Sequence, residues 1–424
     1  MLKVLGIVAE YNPFHNGHLY HLEKAKDIIK PDFTVAVMSG NFTQRGEPAI
    51  IDKWSRTKMA LENGIDLVLE LPVLYACQTA ELFSAAAVRI LNSTGIITHM
   101  AFGSEYDNIN HLKTLAQILY EEPPQYRKSL KLSLRKGLSF PNARLNALKE
   151  YFSQLSEHSC LEPNLIDTIL VGSNSILALE YLKILIELRS TIQPVIIPRI
   201  GSQYNTYQIE TPYSSATAIR HSILSSASWD TISPSLPSIS LKILKDEINM
   251  GQGPVALQSI EQILLGIIRR STLKEISQWM DVEEGLEYRI KKSANGCTNI
   301  TNFLIRTKTK RYTLTRLQRI LIHGLLDIKT TDTNYFENIG GPPYIRVLGF
   351  NMAATRLLRA LKEKSKLPII NKAAHYFRHG NKDIDRMFQY EILAGDLYAL
   401  GYPNPGKRKG GQEFTRGLIR IHPQ

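Results

Sequence analysis

The alternation of short apolar strands with amphipathic helices in the first hundred residues is the feature that most restricts the fold of this chain. Apolar runs predict strands at residues 3–9, 33–38, 66–71 and 98–102, and the intervening segments predict helices at residues 17–29, 52–62 and 79–92. Strands that alternate with helices form a parallel sheet covered by helices on both faces. The sequence therefore predicts an α/β fold whose N-terminal part is a Rossmann-like parallel sheet.

After this alternation the pattern becomes mainly helical. Residues 108–160 predict helices with breaks at Pro123-Pro124 and Pro141, and a helix at 175–189, a strand at 195–198 and a helix at 214–224 follow. We place a first domain at residues 1–225. The Ser- and Pro-rich segment 226–239 predicts a linker.

The remainder, residues 240–424, is expected to form a helical region followed by a small basic α/β unit. Its predicted strands lie at residues 344–350 and 367–370, with a helix at 351–364 between them. The tail after Gly401 is expected to be mobile.

The positive charge of the chain is confined to its C-terminal third. The whole chain carries a net charge of +12, yet residues 301–424 hold 22 Lys and Arg against 9 Asp and Glu, whereas residues 1–300 hold 29 against 30. A charge excess restricted to one region predicts a face that binds a polyanion.

Cysteine usage and hydropathy exclude several protein classes. Cys77, Cys160 and Cys297 are far apart with no CxxC spacing, which supports neither a disulfide framework nor a zinc knuckle. The first residues lack the pattern of a signal peptide, and no apolar run approaches the roughly 20 residues that span a bilayer. We expect a cytoplasmic protein that does not associate with membranes.

The stretch His15-Asn16-Gly17-His18 lies between the first predicted strand and the first predicted helix. A helix N-terminus presents oriented N–H groups, and two imidazoles across its first turn add further donors. When the α-phosphorus of ATP is attacked, negative charge grows on the phosphate oxygens, which is where such donors act. We therefore assign His15 and His18 as catalytic residues of adenylate chemistry. The alternative is a pair of surface histidines at a helix start.

A second candidate phosphate site is the segment from Ser214 to Arg220, at the start of the helix predicted at 214–224. The segment resembles the second phosphate-binding motif of the HxGH nucleotidyltransferase superfamily, a Ser/Thr-rich turn that ends in Ile-Arg. This resemblance implies that the hydroxyls of Ser215 and Thr217 and the guanidinium of Arg220 hold the β- and γ-phosphates. Taken alone, these residues would be better explained as an ordinary helix cap, whereas beside the His15–His18 pair the phosphate site is the favoured interpretation.

These motifs resemble the signature of the HxGH nucleotidyltransferase superfamily. A narrower resemblance, to the tRNA(Met) cytidine acetate ligase family, covers most of the chain. It rests on residues 10–18, on Ser39 to Pro48, on Asp66 to Pro72, on Phe102 to Glu105, and on two further segments, 174–181 and 344–350.

The resemblance implies an ATP-dependent ligase. In that family acetate is activated as acetyl-adenylate, N4 of the wobble cytidine of elongator tRNA(Met) is acetylated, and AMP and pyrophosphate are released. The implied partners are therefore ATP, acetate and tRNA, with Mg²⁺ expected to accompany ATP and no dedicated protein ligands expected for a metal. Neither DNA nor a membrane is expected as a partner.

The resemblance also implies ATP contacts at Ile7, Val8, Ala9, Glu10, Tyr11, Asn12, Pro13, Phe14, His15, Asn16, Gly17, His18, Leu19 and Tyr20, and at Gly103, Asn174 and Arg199. Gly103 ends a predicted strand, where parallel sheets place ligands. Asn174 opens a helix and is about as well explained as an N-cap. The family usually has a second Asn after this one, whereas this chain has Ser175.

The polar loop from Ser39 to Pro48 suits a lid or an acceptor site, because it follows a predicted strand. We assign Asn41, Gln44 and Arg45 to acetate or to the acceptor, with an exposed loop charge as the alternative for Arg45. Glu70, in an otherwise apolar strand, is interpreted as a buried polar partner rather than a catalyst.

Candidate tRNA contacts come from the basic third of the chain. They are Lys308, Lys310, Arg311, Arg316 and Arg319, together with Lys407, Arg408 and Lys409 of the tail. Tyr312 is predicted to stack on a base. Arg356, Arg359, Lys362, Lys364 and Lys366 add to the basic charge, although a charge run is usually a solvated helix face.

Two other functions fit parts of the sequence. An adenylyltransferase that makes a nucleotide cofactor would use the same histidines but needs little more than one domain. A non-catalytic protein that binds nucleotide and RNA would use both regions without turnover.

Overall fold

The computed structural model describes residues 2–154, 163–200, 209, 212–283, 285–376 and 380–422. The strands are β1 Val4–Ala9, β2 Phe33–Ser39, β3 Leu67–Leu71, β4 His99–Ser104, β5 Gln193–Pro198, β6 Ile345–Asn351, β7 Ile369–Ile370 and β8 Ile419–Ile421.

The helices of the N-terminal part are α1 Asn16–Ile29, α2 Lys53–Glu62, α3 Val73–Ala76, α4 Ala80–Ser93, α5 Ile109–Glu121, α6 Pro124–Arg135, α7 Phe140–Gln154, α8 Pro163–Val171, α9 Ser173–Glu187 and α10 Ala216–Leu224. Those that follow are α11 Trp229–Ile232, α12 Ser238–Asn249, α13 Glu261–Arg270, α14 Leu273–Gln278, α15 Leu286–Asn295, α16 Ile300–Thr307, α17 Leu314–Leu326, α18 Thr330–Asn338, α19 Thr355–Lys364, α20 Ala373–Tyr376, α21 Lys382–Ala399 and α22 Gln412–Thr415. No helix in these described ranges combines the length and apolar character that crossing a membrane requires.

The predicted parallel sheet is confirmed. Its strand order is β5-β4-β1-β2-β3, and neighbouring strands in this run are parallel. Each of β2, β3, β4 and β5 is preceded by at least one helix that returns across a face of the sheet, which is why apolar runs alternate with amphipathic helices in the sequence. The carboxyl ends of β1, β4 and β5 therefore meet at one edge.

Successive residues of the central strands pack against the two opposite faces. On β2, Val35 and Val37 belong to one buried cluster, whereas Ala36 and Met38 belong to the other. The first cluster includes α4 and α9, and the second includes α1 and α2. Burial of each large apolar side chain contributes about 1.5–3 kcal/mol, so the sheet is a rigid platform for the loops at its edge.

The C-terminal strands extend this same sheet. β6 pairs antiparallel with β3, and both β7 and β8 pair parallel with β6 at different positions along it. A single sheet therefore contains strands from both of the regions placed apart on sequence grounds, 1–225 and 240–424.

The segment expected to be a linker, 226–239, is packed instead. It contains α11 and a short 3-10 turn at Ser233–Ser235, and its Ile232 and Leu236 are buried in the cluster that includes α1. The Asn16 side-chain amide donates a hydrogen bond to the carbonyl of Pro234 (2.9 Å). Burial of Ile232 and Leu236 thus orders this segment, although its Ser and Pro content is typical of a linker.

The prediction of a mobile tail after Gly401 is wrong. The tail returns to the sheet through α22 and β8, and the side chain of Glu413 is buried 2.5 Å from Nζ of Lys53. The same Lys53 lies 2.6 Å from Glu70, which confirms that Glu70 is a buried polar partner. Long-range ion pairing anchors a segment whose local sequence is Gly- and Lys-rich.

Candidate nucleotide-binding site

A cavity of about 250 Å³ opens at the carboxyl ends of β1, β4 and β5. Residues predicted from the sequence line it in six stretches of the chain: Ile7, Val8, Ala9, Glu10, Tyr11, Asn12, His15, Gly17, His18 and Tyr20; Gln44 and Arg45; Gly103; Asn174; Arg199; and Ser215 and Arg220. Parallel sheets bind ligands at this edge, where helix N-termini converge.

The two histidines form a reciprocal cap at the start of α1. Nδ1 of His15 accepts a hydrogen bond from the Gly17 amide (3.0 Å), and Nδ1 of His18 accepts one from the His15 amide (3.2 Å). Their rings stack with centroids 3.8 Å apart. Because each Nδ1 acts as an acceptor, each neutral ring carries its proton on Nε2, which is the nitrogen left for a ligand.

Both imidazoles are held neutral by their surroundings. Burial, reinforced by the positive charges of Arg199 and Arg220, lowers the pKa of His15 to about 3. Burial and the neighbouring His15 lower the pKa of His18 well below its ordinary value. At neutral pH the pair therefore offers two uncharged N–H donors.

The turn that precedes α1 is fixed from several sides. Tyr11 adopts a positive φ of 46°, and Oδ1 of Asn12 accepts a hydrogen bond from the Ile50 amide (2.8 Å). The fully buried guanidinium of Arg56 donates to the carbonyls of Glu10 (2.6 Å) and Ser39 (3.1 Å). One arginine thus ties the loop after β1 to the loop after β2.

The second phosphate motif meets the first one directly. Ser215 caps α10 by accepting a hydrogen bond from the Ala218 amide (3.1 Å). Nη1 of Arg220 donates to the carbonyl of Asn12 (3.0 Å), and its Nη2 lies 3.6 Å from Glu47. A guanidinium anchored in this way remains charged beside the histidine pair.

The remaining implied ATP contacts gather around Glu105. Nδ2 of Asn174 donates to its Oε1 (2.7 Å), and Arg199 lies 3.7 Å from the same oxygen. Burial acts to raise the pKa of Glu105, but hydrogen bonds from Asn174 and Ser175 outweigh it and lower the pKa below its ordinary value. Ser175 is buried and donates through Oγ to Oε2 of Glu105 (2.9 Å), so it supports the carboxylate that orients Asn174.

Some residues assigned to the site lie outside the cavity lining: Pro13, Phe14, Asn16, Leu19, Asn41 and Thr217. Phe14 is fully buried behind the turn, and Asn16 donates to the carbonyls of Pro212 and Pro234. Asn41 is buried and its Oδ1 accepts a hydrogen bond from the Lys53 amide (2.9 Å). Asn16 and Asn41 thus support the walls of the cavity through hydrogen bonds to neighbouring backbone groups.

Sequence reasoning missed several lining residues, among them His21, Phe83, Phe102, Leu177, Tyr181 and Tyr213. Some of these residues could have been predicted, because they lie three or seven residues from a predicted site residue on the same helix. His21 follows His18 by three residues on α1, and Leu177 and Tyr181 lie on the same face of α9 as Asn174. Burial lowers the pKa of His21 to about 4, so it adds a third neutral imidazole.

The predicted RNA contacts differ in how far they are exposed. Lys308, Lys310 and Arg311 are exposed, as are Lys407, Arg408 and Lys409. Arg316 donates to the carbonyl of Asp281 (2.7 Å), and Arg319 is buried 3.0 Å from the carboxylate of Asp281.

The expectation that Tyr312 stacks on a base is not supported by its position. Its ring is buried and the guanidinium of Arg316 lies over it, 5.5 Å from the ring centroid. Arg319 is likewise turned inward by Asp281, so neither side chain is displayed to a partner.

Comparison with known proteins places this geometry in a family. Residues 2–413 match the HIGH Nucleotidyl Transferase family. A protein of Acetivibrio thermocellus named tRNA(Met) cytidine acetate ligase is 45% identical over 421 residues, which cover 99% of this chain and 100% of the relative. A protein of the same name from Halothermothrix orenii is 41% identical over 423 residues, with 99% and 100% coverage.

Two solved structures are similar over 100% of both chains at 38% identity. Thermotoga maritima TmcAL in an apo form matches with a TM-score of 0.95. The same protein bound with alpha-thio ATP matches with a TM-score of 0.94.

Proposed function

Since this chain belongs to the tRNA(Met) cytidine acetate ligase family of HIGH nucleotidyl transferases, we propose that it activates acetate with ATP and acetylates N4 of the wobble cytidine of elongator tRNA(Met). The observation that carries the proposal is the reciprocal His15–His18 cap, which leaves two Nε2–H donors at a cavity that also holds Arg220.

The proposed reaction has two steps. A carboxylate oxygen of acetate attacks the α-phosphorus of ATP, and the bond to the β-phosphate oxygen breaks, which releases pyrophosphate. N4 of the cytidine then attacks the acetyl carbonyl carbon, loses a proton, and AMP departs with the electron pair of the carbon–oxygen bond. The first step builds negative charge on phosphate oxygens, which neutral N–H donors and a fixed guanidinium stabilise most in the transition state.

Neutrality of the imidazoles matters for this role. A neutral imidazole donates a hydrogen bond to the phosphate oxygens without transferring its proton to them. Its position is also fixed before the reaction begins. The His15–Gly17 and His18–His15 hydrogen bonds supply that fixation, since they hold both rings at the N-terminus of α1.

Acetate is proposed to bind beside Gln44 and Arg45, both of which line the cavity. The loop that carries them is well fixed: the Gln44 amide donates to Glu10 (2.8 Å), and Nε2 of Gln44 donates to the carbonyl of Gln78 (2.7 Å). A guanidinium suits a small carboxylate.

We propose that Mg²⁺ arrives with ATP. The described residues hold no cluster of three His, Cys, Asp or Glu side chains suited to a metal, so phosphate oxygens and water would supply the ligands. The ion would neutralise phosphate charge.

The experiment that tests the proposed function supplies ATP, labelled acetate and bulk tRNA to the protein. We expect acid-stable label in the RNA, located on cytidine after nuclease digestion. Adenylyl transfer to a free phosphate ester with no labelled RNA would instead identify a cofactor-forming enzyme, and ATP binding without turnover would identify a nucleotide sensor.

A further inference from the structure

An apolar groove with a basic rim lies on the C-terminal part of the sheet, away from the nucleotide cavity. It has a volume of about 840 Å³ and lies between α19 and the strands β7 and β8, which pair with different halves of β6. Its apolar lining includes Val347, Phe350, Leu358, Leu361, Leu367 and Leu418.

The rim of this groove is strongly cationic. Lys362, Lys372 and Arg420 line it and are exposed. Residues 356–372 contain six basic residues and one acidic residue, and the two arginines of α19, Arg356 and Arg359, are also exposed. The surface around α19 therefore carries a net positive charge that attracts anions, since few acidic side chains in this segment offset it.

The rim cations also differ from two arginines of the basic stretch that the sequence made prominent, Arg316 and Arg319. Arg316 and Arg319 are neutralised by Glu283 and Asp281, 3.3 and 3.0 Å away. In the part of the chain that the structure describes, Lys362, Lys372 and Arg420 have no carboxylate within ion-pair distance. Their charge is available for a partner.

The apolar floor adds a second kind of recognition. Phe350 lies at the floor, with the guanidinium of Arg420 over its ring at 5.8 Å from the centroid. An unpaired nucleotide has a planar base, which can pack on the apolar floor, and a phosphate, which the cations at the rim can bind. The phosphates of a fully paired RNA stem could contact the cations of the rim, but its stacked bases could not contact the apolar floor.

We propose that this groove, defined by α19, β7 and β8, binds unpaired nucleotides of the RNA substrate. The proposal rests on the proposed function for the identity of that RNA. Three strand spacings of about 4.8 Å separate β6 from β1, a distance that one RNA molecule bound at the nucleotide cavity can cover.

The test compares full-length variants for binding to a transcript of elongator tRNA(Met) across a range of salt concentrations. The groove variant is K362E/K372E/R420E, and the charge-preserving variant is K362R/K372R/R420K. The matched control, K128E/K131E/K136E, reverses three exposed lysines on and just after α6, a helix outside the C-terminal part.

We expect the groove variant to bind RNA at least about tenfold more weakly. The plot of log affinity against log salt concentration should become shallower, its negative slope decreasing in magnitude by about two, because three phosphate contacts are lost. The charge-preserving variant and the α6 control are expected to stay within about threefold of wild type. Wild-type affinity in the groove variant would overturn the proposal and favour a protein partner for the groove. Equal weakening in the groove variant and the control would overturn it as well, since bulk charge would then explain the loss.

Crosslinking of wild-type protein to a transcript carrying 4-thiouridine keeps the proposal testable if the groove variant does not fold. Crosslinked peptides from residues 356–372 or 418–420 support it, and their absence from an otherwise crosslinked protein contradicts it. Acetate-dependent exchange of pyrophosphate into ATP without RNA reports the proposed function separately, so failure of one proposal is distinguishable from failure of the other.

Discussion

Replacing His15 by asparagine separates its two roles, capping of α1 and donation to phosphate. Nδ1 of His15 accepts the Gly17 amide hydrogen bond at 3.0 Å, and the side-chain oxygen of an asparagine at this N-cap position can accept a bond of the same kind. Its shorter side chain does not place a donor where Nε2 of the imidazole lies. The variant H15N should therefore fold normally and lose catalysis.

The expected magnitudes differ for the two roles. Loss of one donor to a developing oxyanion costs about 10²–10³ in kcat, or about 2.7–4 kcal/mol of transition-state stabilisation. Loss of a helix cap costs about 1 kcal/mol of the free energy of unfolding, which H15A should show and H15N should largely avoid.

The assay is acetate-dependent exchange of labelled pyrophosphate into ATP, with stability measured by urea unfolding of the same samples. We expect H15N to be as stable as wild type with kcat lowered by about 10²–10³ and the KM for ATP changed much less. An H15N enzyme that exchanges pyrophosphate at the wild-type rate would refute the assignment of His15 as a donor.

Three other outcomes follow from the site and its supports. Because the pKa of His15 is about 3 in the fold and 6.5 ordinarily, the unfolded chain binds the extra proton between these pH values, so the free energy of unfolding should fall on acidification through this window, with a shallower slope in H15N. R220K loses the planar fork that bonds the Asn12 carbonyl at 3.0 Å, and should raise the KM for ATP about tenfold, whereas R189K at an exposed position serves as the control. K53M removes the cation that lies 2.6 Å from Glu70 and 2.5 Å from Glu413, leaves Glu413 with Arg346 at 3.6 Å, and should destabilise the fold by about 3–5 kcal/mol at neutral pH. Burial raises the pKa of Glu413, and loss of the Lys53 charge, which acts to lower that pKa, should raise it further, so urea unfolding should show this penalty shrinking as pH falls; a penalty independent of pH would contradict the ion-pair explanation.

The parallel sheet could be predicted because each of its strands and helices is recognisable from a short stretch of the sequence. Each central strand is a short apolar run, and each following helix is amphipathic, so the pattern itself implies strands buried on both faces. The His15–His18 pair could be predicted for the same reason, since strand, turn and helix start lie within fifteen residues.

Long-range pairing explains what the sequence did not reveal. β6 joins β3 across more than 270 residues, and Glu413 reaches Lys53 across the length of the chain. Nothing in the local sequence of the tail distinguishes an anchored glutamate from an exposed one.

The same limit applies to the site and to the basic region. The apolar wall formed by Phe83, Phe102 and Tyr181 comes from three elements that meet only in the fold. Likewise, Arg319 belongs to a basic run in sequence, and only Asp281, 38 residues away, shows that its charge is neutralised.

We propose above all that this site forms an acyl-adenylate and passes the acyl group to RNA. The most direct measurement follows labelled acetate and α-labelled ATP in one reaction with tRNA, comparing wild type with H18A. We expect AMP and N4-acetylcytidine in equal amounts from wild type, and neither from H18A although it still binds tRNA. Acetylated RNA formed by H18A at the wild-type rate, or AMP released by wild type without acetylated RNA, would contradict it.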